Sequence, residues 1–499
     1  MLSRSLLTAL ILACAARADV TLPSVLASHM VVQRGKPVHV WGTAQMGESV
    51  TVSFRGNTRT AVANDIGRWS VSLPSSEAGG PFELVVEGRN RIVLNDILVG
   101  DVWIASGQSN MEFTLKEAVN GAAEVAAANH PRMRLFHVKR VVADHPMDDV
   151  EASWVACTPE AAANFSAVAI FFARQLQAKL SVPVGLIDSS WGGTPAEAWI
   201  SLASLSADAA LMPVFSEWSR MNSVLSVTRP RRDKQLAEWR DAVARAKADG
   251  KPGPGFPWKA NDSGEWAPAS LFNAMIAPLT GFPIRGAIWY QGESNASKER
   301  APLYKRLFET MIQDWRRAWQ QEDLPFFFVQ LANYKTGPDS RWPDLREAQR
   351  QTLELRNTGM AVTIDIGTPN GIHPPNKQDV GLRLALAARA IAYGEHIEYS
   401  GPAMERASFD GSAVRVSFKH TGKGLVAHGG SLTGFEIAGK DGVFKAAEAR
   451  IEGNEVVLSN AAIAAPTLVR YAWSDNPQCN LFNADGLPAS PFRGDLGER

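Results

Sequence analysis

At 499 residues the chain is too long for one ordinary hydrophobic core, so more than one domain is expected. A hydrophobic share of 45% and a charged share of 20% exclude a disordered or membrane-embedded chain and fit a soluble globular one. Lys and Arg total 51, as do Asp and Glu, so no whole-chain field favours nucleic acid or an acidic membrane as partner.

Met1–Ala18 reads MLSRSLLTALILACAARA: an early Arg, an apolar run from Leu6 to Ala13, then the small-x-small triplet Ala16-Arg17-Ala18. That is the pattern of a signal peptide cleaved after Ala18, and export to the periplasm or the cell exterior is expected. The run is shorter than the roughly 20 residues that a spanning helix needs. No later segment is apolar for long enough, so no membrane insertion is expected. Leu12 fits a lipoprotein site at Cys14 poorly. Cys157 and Cys479 are then left, far apart, too few for a disulfide framework whether free or paired. The nine His show no HxH or HExxH spacing, so nothing suggests zinc.

Residues 19–97 carry short runs of β-formers punctuated by turns: Val38–Trp41, Ser49–Phe54, Trp69–Leu73 and Phe82–Val86. This pattern predicts a small β-sandwich module. From 98 to 395 the character changes. Buried-type β runs recur at Ile97–Ala105, Val182–Ile187, Ile284–Tyr290, Phe326–Leu331 and Met360–Ile366. Helical patterns accompany them at Ala167–Leu180, Asp233–Ala248, Tyr304–Trp319, Leu345–Arg356 and Lys377–Tyr393. Such alternation predicts an α/β domain with a parallel sheet covered by helices on both faces. About 201–268 reads as an insertion, with a charged helix and the loop Lys251-Pro252-Gly253-Pro254-Gly255. Residues 396–499 return to short β runs, such as Val414–Phe418 and Leu468–Trp473.

Ligands of an open parallel sheet bind beyond the carboxyl ends of its strands. Small, polar and reactive residues follow the predicted strands here: Ser106-Gly107-Gln108-Ser109-Asn110-Met111, then Ser189-Ser190-Trp191-Gly192-Gly193-Thr194, Gln291-Gly292-Glu293-Ser294-Asn295, Asn333-Tyr334, and Asn370-Gly371-Ile372-His373-Pro374. Ser109 is either a helix N-cap or a nucleophile projected from a strand-to-helix turn. Its motif lacks the second glycine of the G-x-S-x-G elbow. Gly193 brings a backbone N–H to where an oxyanion would form, and Gln291 and Asn295 offer side-chain amides. His373, before Pro374-Pro375, is the candidate base. The 15 Trp are mostly core residues, with a few exposed ones suited to stacking on sugar.

Gly107-Gln108-Ser109-Asn110-Met111, Trp191-Gly192-Gly193-Thr194, Trp289–Asn295 and His373-Pro374-Pro375-Asn376-Lys377 resemble the sialate O-acetylesterase family of SGNH-type hydrolases. The closing run Asn480–Pro488 looks familial as well. The resemblance implies an SGNH-type sheet flanked by helices and a serine esterase that removes O-acetyl groups from a carbohydrate without metal or cofactor. Ser109 would be its nucleophile and His373 its base. The N–H groups of Ser109 and Gly193, with Gln291 or Asn295, would form the oxyanion hole. Gln108, Asn110, Trp191 and Glu293 are candidates for substrate contact. SGNH-type enzymes often place Asp three residues before the His. That position here is Asn370, and Asp365 is a possible charged substitute for orienting the ring. Acetylated plant-wall glycans are an alternative substrate class. A non-catalytic glycan-binding protein and a long-chain esterase are the rival functions.

Overall fold

A computed structural model of the chain describes residues 19–249, 254, 264–411 and 413–496. The expected signal peptide and most of the Lys251–Gly255 loop lie outside the described residues.

The N-terminal part contains β1 (Val31–Gln33), β2 (Val38–Thr43), β3 (Ser49–Phe54), β4 (Asn57–Val62), β5 (Arg68–Leu73), β6 (Gly79–Glu87) and β7 (Arg91–Gly107). Period-two alternation places Val50, Val52 and Phe54 of β3, and Trp69, Val71 and Leu73 of β5, in the core. β2 pairs with β5, while β3 lies between β4 and β6.

Six further strands complete the central sheet: β8 (His130–His137), β9 (Trp154–Cys157), β10 (Val184–Ser190), β11 (Gly286–Tyr290), β12 (Phe326–Val329) and β13 (Thr358–Ala361). The order is β13-β12-β11-β7-β10-β8-β9, all neighbours being parallel except the β8–β9 pair. The sheet is therefore mixed, with the antiparallel member at its edge. β7 belongs to both units: its first half pairs antiparallel with β6, and Asp101–Gly107 lies parallel to β10. The expected division at residue 97 thus falls inside one continuous strand.

The helices are α1 (Ser109–Glu112), α2 (Gly121–Ala126), α3 (Pro159–Ala163), α4 (Ala167–Leu180), α5 (Leu202–Ser206), α6 (Met212–Ala248), α7 (Ala301–Ala318), α8 (Trp342–Gln351) and α9 (Lys377–Ile391). They cover both faces of the sheet. Trp103 of β7 meets Phe172 of α4 with ring centroids 5.0 Å apart. Trp289 of β11 is opposite Ser106, so it points to the other face, where it meets Trp315 of α7 at 5.9 Å. Each such aromatic pair contributes about 0.5–1.5 kcal/mol beyond its buried area. The indoles at Trp103, Trp199, Trp289 and Trp315 are fully buried, so much of the Trp content is core.

Beyond Tyr399 the chain forms two four-stranded sheets around a separate core that includes Val416, Phe435, Tyr471 and Phe492. Arg346 of α8, wholly buried, joins this region to the central domain. Its guanidinium donates to the carbonyls of Leu331 and Ala332 on one side and of Ser474 and Asp475 on the other, at 2.8–2.9 Å. Cys157 and Cys479 are both free. Among the described residues no helix is long and apolar enough to cross a membrane.

Candidate active site

The connection order reverses at β7, which has β10 on one side and β11 on the other. That switch opens a crevice beyond the carboxyl ends of the three strands. β7 ends at Gly107, where φ is +135° and a Cβ would sit 2.2 Å from the Tyr290 carbonyl oxygen, so only glycine lets β11 approach this closely. The Gln108 N–H then donates to that same oxygen at 2.9 Å, and Ser109 opens α1. The Ser109 N–H belongs to the first helical turn and has no intrahelical acceptor. The turn is braced from behind, because the Ser166 hydroxyl at the start of α4 donates to the Met111 carbonyl at 2.6 Å.

His373 reaches the crevice from the loop between β13 and α9. Its Nε2 lies 2.7 Å from Ser109 Oγ. The ring edge is exposed, yet the protein packed around it, and then the Lys377 ammonium, lower its pKa below the usual 6.5. Among the described residues Nδ1 has no hydrogen-bond partner. Asn370 is exposed and its side chain makes no hydrogen bond there either. Both carboxylate oxygens of Asp365 accept from the Arg383 guanidinium, at 2.6 and 2.7 Å. The structure therefore joins Ser109 to His373 but joins neither Asn370 nor Asp365 to the ring.

From the β10 side come Trp191, Gly192 and Gly193. The Gly192 N–H donates to Glu112 Oε2 at 2.6 Å, and Arg140 holds the other carboxylate oxygen at 2.7 Å. Gly193 has φ +79° and open space where a side chain would begin, and among the described residues its N–H has no partner. Trp191 is half-buried, with the Arg140 guanidinium 6.0 Å from its ring centre.

The amides from the β11 side are used internally. Gln291 donates through Nε2 to Thr194 O at 3.2 Å and to Asn295 Oδ1 at 2.7 Å, while its own oxygen accepts from the Tyr304 hydroxyl at 2.9 Å. Asn295, wholly buried, also accepts from the Ala196 N–H and donates to Glu197, both at 2.9 Å. These two side chains hold the β10 and β11 loops together, which leaves the backbone N–H groups of Ser109 and Gly193 as the available pair. Three of the four candidates for substrate contact are internal too. Gln108 accepts from the N–H groups of Gly292 and Ser294, at 3.3 and 3.2 Å. Asn110 donates to Glu293 Oε1 at 2.6 Å and to the Ile372 carbonyl at 2.9 Å. Trp191 and Glu293 are both half-buried, but the Glu293 carboxylate turns inward, with Oε2 buried, so Trp191 is the candidate with a face toward solvent.

Among the described residues no cluster of His, Cys, Asp and Glu is suited to a metal ion. The arrangement offers a hydroxyl on an imidazole nitrogen, with two N–H groups beside it that lack acceptors, which is the equipment of nucleophilic acyl transfer. Glu112, Arg140 and Lys377 carry no role in the reading of the sequence. For Lys377 a signal existed, since a Lys at the first position of a helix stands against the helix dipole.

A model of the family described as carbohydrate esterase, sialic acid-specific acetylesterase, matches residues 260–391. The sialate O-acetylesterase of Mus musculus is 32% identical, the match covering 95% of this chain and 94% of the mouse protein. The Homo sapiens counterpart is 30% identical over 91% of this chain and 88% of its own. A crystal structure of a carbohydrate acetylesterase from Xanthomonas citri superposes with a TM-score of 0.82 at 42% identity, covering 96% of this chain and 100% of that one. On this likeness, which runs through sequence and fold alike, the chain belongs to the sialate O-acetylesterase family.

Proposed function

We propose that the protein is an exported esterase that hydrolyses O-acetyl groups of carbohydrates, acetylated sialic acids among them, through an acetyl-enzyme on Ser109. The carrying observation is the 2.7 Å contact of Ser109 Oγ with His373 Nε2 at the carboxyl end of the central strand. Nε2 accepts the hydroxyl proton as Oγ adds to the acetyl carbonyl. The N–H groups of Ser109 and Gly193 receive the developing oxyanion. His373 then returns the proton to the departing sugar oxygen, and the same steps with water release acetate and free Ser109. Trp191, at the edge of the crevice, is the candidate platform for the sugar ring. The imidazole works as the partner in a Ser–His dyad, with any third member indirect.

Ser109→Ala should lower acetate release on the order of a thousandfold or more while leaving the fold intact, because the remaining terms cannot replace the nucleophile. Turnover close to wild type in that variant would end the reading. The sugar class is decided by acetate release from acetylated sialic acid, xylan, xyloglucan and pectin. Octanoyl esters cleaved as well as acetyl esters would point to a long-chain esterase instead.

A further inference from the structure

Directly behind the Ser109 turn lies a charged group that acyl transfer does not itself require. Lys377, the first residue of α9, is wholly buried. Burial and the positive end of the helix both disfavour an ammonium there. Its Nζ donates to Asn110 Oδ1 at 2.5 Å and lies 4.6 and 5.2 Å from the ring centres of Phe113 and Tyr290. The amide of Asn110 passes the contact on, to Glu293 Oε1 and to the carbonyl of Ile372, the residue before His373. Asn110 also follows Ser109 directly. One amide thus ties the nucleophile turn, the loop of the base, the β11 loop and the start of α9 to one another.

We propose that Lys377, with Asn110 and Glu293, is the positioning device of this site: it locks the Ser109 turn to the His373 loop and sets one buried positive charge behind the imidazole. The inference rests on the Ser109–His373 reading above. Lys377 touches no reacting atom, so it is a positioning residue. Burial pushes its pKa down to about 7, with Glu293 opposing that fall, and pushes the Glu293 carboxyl up. Even as a neutral amine Lys377 still donates to Asn110, so the lock holds on both sides of that pH. The charged groups acting on His373 are Lys377 from α9 and Glu117 from the turn Leu115–Glu117, the first lowering its pKa and the second raising it. His373 protonates below the ordinary 6.5, where Lys377 is charged. Burial of the ring and, after it, the ammonium therefore keep the imidazole free as a base in mildly acidic solution.

The test is the pH profile of kcat/KM on an acetyl ester. In the wild type the acid limb should have its midpoint below 6.5. Lys377→Met combined with Glu293→Gln removes both charges without stranding a carboxylate. It should lower kcat on the order of 10- to 100-fold, as loosened geometry does, and move the acid limb to higher pH. Lys377→Arg, which keeps the charge, should hold the limb in place. Should the double variant fail to fold, the near-isosteric Glu293→Gln serves alone: removing the carboxylate lowers the Lys377 pKa further, so the charge is lost where His373 titrates and the limb moves up. A fall in kcat with an unmoved limb means a merely structural role and overturns the inference, as does an unchanged profile. Ser109→Ala measured alongside separates the two readings. Turnover close to wild type there overturns the proposed function, whereas a Ser109→Ala variant reduced on the order of a thousandfold or more, beside an unmoved limb in the Lys377 variants, overturns the Lys377 inference alone.

Discussion

A methyl group at Gly192 should damage catalysis more than its size suggests. The added Cβ would stand 2.9 Å from Glu112 Oε2, 3.2 Å from Ser109 Cβ and 3.5 Å from Ser109 Cα. Glu112 has little room to give, since the Gly192 N–H holds one of its oxygens at 2.6 Å and Arg140 holds the other at 2.7 Å. Relief therefore comes from the Ser109 turn, which must shift by some tenths of an ångström against an imidazole only 2.7 Å from its hydroxyl. A misplacement of about 1 Å costs roughly 100-fold, near 2.7 kcal/mol in the barrier, and smaller shifts cost proportionately less. Gly192→Ala should accordingly lower kcat about 3- to 10-fold and leave KM nearly unchanged, because the face of Trp191 is untouched. Initial rates of acetate release over a range of ester concentration measure both, and a thermal melt shows whether the fold persists. A variant with wild-type kcat and an unchanged melt would refute the argument that this turn is held rigid against His373.

Two further outcomes bear on the ring of His373 and on export. Asp365→Asn should leave the pH profile in place and cost some stability, since it weakens the paired hydrogen bonds to Arg383. Asn370→Asp should move the acid limb to higher pH by adding a carboxylate to the base's loop; lost activity in Asp365→Asn beside an unaltered Asn370→Asp would assign the orienting role to Asp365. Mass spectrometry of the secreted protein should find Asp19 at the N-terminus, and a lipid-modified Cys14 would contradict cleavage after Ala18.

The elements carrying strong periodicity were legible in the sequence. Ser49–Phe54 and Ala167–Leu180 form a strand and a helix with the expected bounds. The first has clean alternation, and the second has a Ser N-cap that accepts from the Ala169 N–H. β8 was not legible, because its buried stretch is only Met133–Phe136 and Pro131, Arg132 and Arg134 disguise it. The buried Arg134 is tolerated because its guanidinium reaches Asp96 at 2.8 Å. At the site, Ser109, Gly193 and His373 could be placed on one sheet edge from strand order alone. What Gln291, Asn295 and Asn110 bond to could not. An amide reads the same in a sequence whether it faces a substrate or a neighbouring loop, and only the register of β7 against β10 and β11 decides. The α6 helix begins at Met212, well before the expected Asp233, since Pro213 sits near its start, where the missing N–H costs nothing.

The shared strand has a bearing on descent. At about 3.3 Å per residue, the 17 residues of β7 run on the order of 55 Å from the outer rim of the N-terminal sheet to the nucleophile. A module joined by a linker can be lost or exchanged among relatives by recombination, and the catalytic part survives the trade. Here a break at the module boundary would cut the rail that delivers Ser109, and any graft would have to match its pleat residue for residue, since a slip of one turns every side chain to the wrong face. The two parts are therefore expected to be inherited together.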